Sequence, residues 1–381
     1  MLIHQCHYVN NQWKSISSSS GFDPQAAELV LVFGDAALVT DPTLFFHIRN
    51  GFPDAQIVTC STAGEIVEDE VYDHSIAVVA IQFEKTRIAC RITNINNHNN
   101  SHETGKYLME QLQADDLTSV FVISDGTFIN GSELVAGLNE NNSNKVSITG
   151  GLAGDGSRFV RTYVGLNSLP EPGGMVAAVG FYGNDLKIGH GSFGGWDEFG
   201  PERTITRSDK NILYEIDDRN ALSLYKEYLG PYQAELPGSA LLFPLSLREP
   251  HSDESLVRTI LSINEHERSM CFAGNLPKGS RVRLMKANFD KLVDGSSIAA
   301  RTCFTGLSSS VPELAILISC VGRKLILKDR TDEEVIAVKK IFDHPLPMAG
   351  FYSYGEISPF NPNTKCELHN QTMTITTFSE M

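Results

Sequence analysis

Three carboxylates sit one residue after a glycine, in three stretches far apart in the chain: "CSTAGEI" (Cys60–Ile66), "GGLAGDG" (150–156) and "YSYGEI" (Tyr352–Ile357). The acids are Glu65, Asp155 and Glu356. Carboxylates brought together can act as an acid–base pair. They can also receive a ligand's ammonium group, or pin loops by accepting backbone N–H bonds. Arg323, in "CVGR", is the natural opposite pole, because its planar fork can hold a carboxylate bidentately. The other reading of Arg323 is a bridge to one of the chain's own acids. The residues expected to meet a small ligand are Ser61, Gly64, Glu65, Gly151, Gly154, Asp155, Arg323, Tyr354, Gly355 and Glu356.

Catalytic motifs are missing. "GGLAGDG" lacks the Lys-Ser/Thr of a P-loop and runs into strand-like "RFVRTYVGL" instead of a helix. Ser61 has no G-x-S-x-G elbow. No catalytic residue is assigned, and the chain is expected not to be an enzyme. Cys60 and Cys320 end equivalent strands and read as small core residues.

The turns must be held by the elements around them, and those elements repeat. "AELVLVFGD", "SVFVISDG" and "ELAILISCVGR" read as buried strands. Each is followed by a helical stretch, a second strand and the glycine-acid turn. The first helix is expected from Pro42 with Asp41 as cap, the second with Asn130 or Ser132 as cap. The third is expected to open on a capping box of Thr331 and Glu334. Gly34 leads to Gly64, Gly126 to Gly154 and Gly322 to Gly355, a similar span each time. "HSIAVVAIQF" with "TRIACRIT", and "MVAAVGFYG" with "NDLKIGHGSFG", read as antiparallel pairs. The expected fold is mixed α/β, built from repeated βαβ units with appended antiparallel hairpins. If the units pack together, their glycine-acid turns converge on a common cleft.

Bulk properties narrow the partners. A net charge of −15 over 381 residues repels a nucleic-acid backbone. Apolar runs such as "LAILIS" fall far short of a membrane span of about 20 residues. The N-terminal "MLIHQCHYVNNQWKS" does not read as a signal peptide. Seven cysteines without C-x-x-C spacing argue for reduced thiols. A cytoplasmic protein is expected, with no nucleic-acid or membrane partner.

The ordered set "CSTAGEI", "ISDGTFINGSELVAGL", "GGLAGDG", "GHGSFGGWDEFGPERTITRSDKNILYEID", "ISCVGRKLIL", "AGFYSYGEISPF" and "LHNQTMTITTF" resembles the FIST family of sensory proteins. The resemblance runs from about Phe22 to the C-terminus. It implies a lead-in over residues 1–21, an N-terminal FIST domain over 22–225 and a C-terminal one over 226–381. A chain with FIST regions alone is similar to the stand-alone nitric-oxide-sensing haemoproteins called NosP. That likeness implies haem b, a response to NO, and control of a partner histidine kinase with its two-component and cyclic-di-GMP signalling, and through it biofilm formation. The alternative the family implies is a sensor of small molecules such as amino acids, without haem. A homodimer is the default assembly.

Haem needs an axial ligand in a largely apolar pocket. No C-x-x-C-H attachment motif exists, so any haem is non-covalent. His190, in "IGHGSFGGW" beside Phe193 and Trp196, is the first candidate for the iron. His369 and His344 follow.

Overall fold

The computed structural model describes residues 1–142, 146–304, 310–361 and 364–381. Its centre is three repeated units. Strand Leu29–Gly34 lies parallel to Gln56–Ser61, Leu117–Ser124 to Ser147–Leu152, and Leu314–Cys320 to Met348–Ser353. Each first strand also pairs antiparallel with a later strand: Ile76–Gln82, Met175–Tyr182 and Met373–Glu380. The first strands are therefore flanked on both sides and buried on both faces. This explains why they read as unbroken apolar runs.

One face of each sheet meets the other two in a shared core. Leu31 and Phe33, Phe121 and Ile123, and Ile316 and Ile318 all belong to it. The opposite faces carry the helices. Ile48 of helix Pro42–Gly51 packs on the first sheet with Val30, Val32 and Ile57, and Phe45 is buried beside it. Leu134, Val135 and Leu138 of helix Gly131–Asn139 join the second outer core, with Val335 and Val338 of helix Thr331–Lys339.

The units are tied by strand exchange. After its second strand, each unit sends a strand into a neighbour's sheet. Glu65–Val67 pairs with Met348–Ser353 of the third unit. Gly355–Pro359 pairs with Ser147–Leu152 of the second. Tyr163–Leu166 pairs with Gln56–Ser61 of the first. The exchange closes in a ring.

The expected hairpins are corrected by the same logic. Ile76–Gln82 and Arg87–Asn94 belong to different sheets, and so do Met175–Tyr182 and Leu186–Phe193. Arg87–Asn94 pairs with Met175–Tyr182, and Leu186–Phe193 with Met373–Glu380. Alternation shows that a strand has a face, not which strand lies beside it. The first crossing is held by Glu380, whose carboxylate accepts from the N–H groups of Glu84, Lys85 and Thr86 at 2.8, 2.9 and 2.7 Å.

The helix starts follow the sequence in two of three cases. Asp41 accepts from Thr43 N at 2.7 Å, and Asn130 from Glu133 N at 3.1 Å. The third capping box does not form. Helix Thr331–Lys339 has no side-chain cap, and Glu334 turns into the core toward Arg323.

A module with an eight-stranded sheet is inserted between strand Leu186–Phe193 and helix Phe289–Cys303. It begins with strand Asp197–Asp209 and ends with Arg281–Lys286. The expected boundary at residues 225 and 226 falls within its helix Ala221–Leu229.

The ring leaves little room at the turns. A Cβ on Gly154 would stand 2.8 Å from the Ala63 nitrogen and 3.0 Å from the Ala63 Cβ. Gly154→Ala is expected to destabilise the protein by about 1–3 kcal/mol in urea unfolding. Gly51→Ala, where a Cβ meets nothing within 4 Å, is expected to be neutral or slightly stabilising.

Candidate functional site

The three glycine-acid turns do converge, but on a sealed centre. Ala63 N donates to Tyr352 O at 2.8 Å, and Tyr352 N returns a bond to Gly64 O at 2.8 Å. Tyr354 N donates to Leu152 O at 3.2 Å, and Gly154 N to Ser61 O at 3.0 Å. Each turn is thus stitched to the next unit's strand. Ser61, Gly64, Gly151, Gly154 and Gly355 are all buried. The Ser61 hydroxyl accepts from Tyr163 N at 2.9 Å.

The acids serve this closure. Glu65 accepts from the Thr62 hydroxyl at 2.5 Å, and from the Ser75 hydroxyl and N–H at 2.8 and 3.2 Å. Glu356 repeats the arrangement with Ser353 at 2.7 Å and with the Thr372 hydroxyl and N–H at 2.8 and 3.2 Å. Asp155 differs. It accepts from Phe159, Val160 and Arg161 N–H at 2.8, 3.1 and 2.9 Å, and from the Tyr354 hydroxyl. Of the roles open to these acids, pinning loops is the one their partners describe. Exposures of 1%, 2% and 0% for Glu65, Asp155 and Glu356 leave no surface for a ligand's ammonium group.

Arg323 is 0% exposed and paired with Glu334, which accepts from its Nε at 2.9 Å and its Nη2 at 2.7 Å. Its remaining N–H groups reach Gly194 O at 2.6 Å, Leu292 O at 2.7 Å and the Ser296 hydroxyl at 3.0 Å. The guanidinium is fully engaged, so the expected receptor for a ligand carboxylate becomes an internal bridge. Glu334 also takes the hydroxyls of Ser319 at 2.9 Å and Tyr352 at 2.5 Å.

The open space lies beside the sealed centre. A cleft of about 260 Å³ separates the second unit from the inserted module. On the ring side it is walled by Gly126, Phe128, Phe159 and Tyr354, and on the module side by Asn211, Leu261, Phe272 and Gly274. Phe159 stacks on Tyr354 with centroids 4.5 Å apart and planes at 20°. Phe128 and Phe159 are 59% and 44% exposed, unusual for aromatic side chains with an unfilled space beside them. The loop after Ser124 is held by Asp125, which accepts from Thr127 N and Phe128 N, both at 2.7 Å. Across the cleft's edge, Asn130 Nδ2 donates to Asn275 Oδ1 at 3.0 Å, and Asn275 N to the Ser132 hydroxyl at 3.0 Å. Arg258 of the module reaches Leu368 O at 3.0 Å.

Of the expected residues, only Tyr354 lines this cleft. Asp125, Phe128, Phe159, Asn275 and Arg258 were not anticipated. Asp125 had a visible signal, an acid before the glycine of "SDG" where the other turns place it after. Phe159 and Arg258 had none, because an aromatic or a cation in a strand-like stretch is ordinary.

The three histidines do not offer an iron an accessible imidazole. His190 is 7% exposed and opposite Thr376 in its sheet. Its Nδ1 is buried with no hydrogen-bond partner among the described residues, and burial pushes its pKa down to about 4. His369 is 3% exposed, with Nε2 2.9 Å from Ser358 O and Phe360 edge-on at 4.8 Å. His344 is less buried, but Nε2 lies 2.8 Å from Pro312 O and Nδ1 3.3 Å from Asp343. The residues as placed do not fit an axial haem ligand. Among the described residues, no group of three or more His, Cys, Asp or Glu is arranged to hold a metal ion.

Comparison with known families agrees with the resemblance read from the sequence. The FIST N domain matches residues 28–219, and the FIST C domain matches 221–359. The chain belongs to the FIST family. FIST domains are small-molecule-sensing signal-transduction domains. No curated protein matches the chain. Among solved structures, a chorismatase crystal structure aligns over 100% of this chain and 99% of its own, at 7% identity and a TM-score of 0.36. That likeness is too low to carry any argument about activity. No helix among the described residues of this FIST protein is long and apolar enough to cross a membrane.

Two predictions follow from the buried charges. Removing one partner of a sealed ion pair leaves the other uncompensated. Glu334→Ala is expected to cost about 3–5 kcal/mol in denaturant unfolding. The double variant Arg323→Met/Glu334→Leu is expected to recover most of that loss.

Burial raises Glu65 and Glu356 from 4.5 to about 8, against the opposing hydrogen bonds. Most of those bonds come from hydroxyls, which can turn and accept from a protonated carboxyl. Between 4.5 and about 8 the folded acids hold protons that the unfolded chain has released. Stability from this source therefore falls as pH rises through that window. The buried histidines act below their ordinary 6.5, where falling pH destabilises the fold. Thermal unfolding above about pH 6.5 removes the histidine contribution, and Glu367, raised to about 7, is common to wild type and variant. Wild type is expected to lose Tm toward about pH 9 relative to Glu65→Gln/Glu356→Gln. Parallel curves would refute the assignment.

Proposed function

We propose that this FIST protein senses a small, partly aromatic molecule in the cleft between ring and module. The observation that carries this reading is the pair of exposed rings, Phe128 and Phe159, across the cleft from the exposed Leu261 of the module. Flat ligands stack well on such walls. Polar selectivity would come from the preorganised loop between Gly126 and Asn130. Among the described residues, no Arg or Lys lines the cleft, which favours a ligand without a carboxylate over a free amino acid.

The ligand touches both ring and module, so its binding energy differs between seated and displaced positions of the module. Differential affinity of this kind is what shifts a two-state equilibrium. A partner protein, a histidine kinase among those the family implies, would read the module's position. No step in this scheme uses catalytic chemistry.

The second reading is haem-based NO sensing. Its supporting observation is the Nδ1 of His190, which has no hydrogen-bond partner among the described residues. It requires the sheets around His190 to open, and we rank it below the cleft.

The test is a fragment screen by thermal shift, with heterocyclic and aliphatic compounds and haemin in parallel. Aromatic fragments are expected to raise Tm, and Phe159→Ala to weaken them by about tenfold or more. Haemin is expected to give no saturable Soret band at one per chain. A saturable band that moves with NO and disappears in His190→Ala would replace the cleft reading with the haem reading.

A further inference from the structure

A second groove, of about 700 Å³, shares no residue with the cleft. It opens at the start of strand Met348–Ser353, the end remote from Tyr354. One wall is the N-terminal pair of strands, Leu2–Val9 and Gln12–Ser18, and the other is the segment before Met348. Ile3, Phe342, Leu346 and Met348 give it an apolar floor, and Ser17–Ser19 line one edge.

Glu68 places a carboxylate in this apolar setting. Three observations set it apart. Its backbone is held at φ +55°, a left-handed conformation that costs free energy for a side-chain-bearing residue. Its N–H is fixed on Met348 O at 2.9 Å. Its Oε1 is shielded from water and has no hydrogen-bond partner among the described residues. Burial accordingly raises its pKa, opposed first by a hydrogen bond from the Met348 backbone and then by the charge of Lys339. Lys339 does not complete the carboxylate, because its ammonium pairs with Asp69 at 2.9 Å. The other ionisable groups at the rim, Asp343 and His344, lie 3.3 Å from each other.

At the edge of an apolar groove, this carboxylate has only a backbone hydrogen bond and the field of a lysine already paired elsewhere. We propose that this groove is a ligand site for an organic cation. An ammonium or amidinium group would sit beside Glu68, and an apolar body would lie on Ile3, Phe342, Leu346 and Met348. A neutral ligand would cover the carboxylate without compensating it, and an anion would add repulsion. The net charge of −15 favours the same sign of ligand at long range.

The experiment is calorimetric titration of the full chain with three probes of one shape: hexylammonium, hexanol and hexanoate. Hexylammonium is expected to bind at least about tenfold more tightly than either of the others. Glu68→Gln keeps the shape and removes the charge, and is expected to weaken hexylammonium by a similar factor. Ser18→Tyr, at an exposed position on the groove's edge, is expected to block it. Phe159→Ala is expected to leave it unchanged, which separates this site from the cleft. Equal binding of the three probes, no binding of hexylammonium, or full binding by Glu68→Gln or Ser18→Tyr would overturn the proposal. Should Glu68→Gln fail to fold, Ser18→Tyr decides alone.

Discussion

The whole architecture depends on one constraint: three turns must satisfy one another's backbone at the centre of the ring. Buried N–H and C=O groups need partners, and here those partners belong to neighbouring units. Ala63 meets Tyr352, Tyr354 meets Leu152, and Gly154 meets Ser61. No unit can complete its second strand alone, because the outer edge of that strand is filled by a strand from elsewhere. The acids follow from this closure. Where segments of three units meet, some N–H groups find no carbonyl, and Glu65, Asp155 and Glu356 accept from them.

Much of this was legible in the chain, within limits that have a physical cause. The repeat could be seen because apolar runs, helix caps and glycines recur at similar spacing. The convergence of the turns followed from crossover geometry. Which strand lies beside which did not follow. "HSIAVVAIQF" and "TRIACRIT" carry the same pattern whether they pair together or with distant strands. Glu334 shows a second limit. Its position three residues after Thr331 fits a capping box, yet a buried arginine outbids a surface cap. The demand comes from Arg323, eleven residues earlier in the chain and invisible to local rules.

The candidate site was legible only at its edge. Tyr354 was singled out because it belongs to a turn, and it does line the cleft. The other expected residues are behind it, sealed in the closure. Sequence repetition marks what three units share, and what they share is the joint. The cleft belongs to one unit and the inserted module, so it repeats nowhere. A search guided by repetition finds the scaffold of such a protein before it finds the binding surface.

The two kinds of contact differ in strength, and the difference suits a sensor. Within the ring, Arg323 is met by a carboxylate and the turns by paired backbone bonds. Between ring and module, the buried Arg258 donates to Leu368 O and, within the module, to Val257 O and Asn275 O. Among the described residues its bonds reach no carboxylate. The ion pair that does cross, Lys210 to Glu133 at 2.9 Å, has an exposed lysine. Burial pushes the pKa of Arg258 down to about 10, the sign of a cation held without full compensation. A seat of this kind costs less to leave than a sealed ion pair. Strand Met348–Ser353 then links the two open spaces through the rigid part. Met348 borders the groove at its start, and Tyr354 borders the cleft just past its end. Six residues at roughly 3.3 Å each span about 20 Å. A rigid strand does not by itself carry a signal between its ends. It fixes one open space in the frame of the ring, while the other shares a wall with the part that is less firmly held.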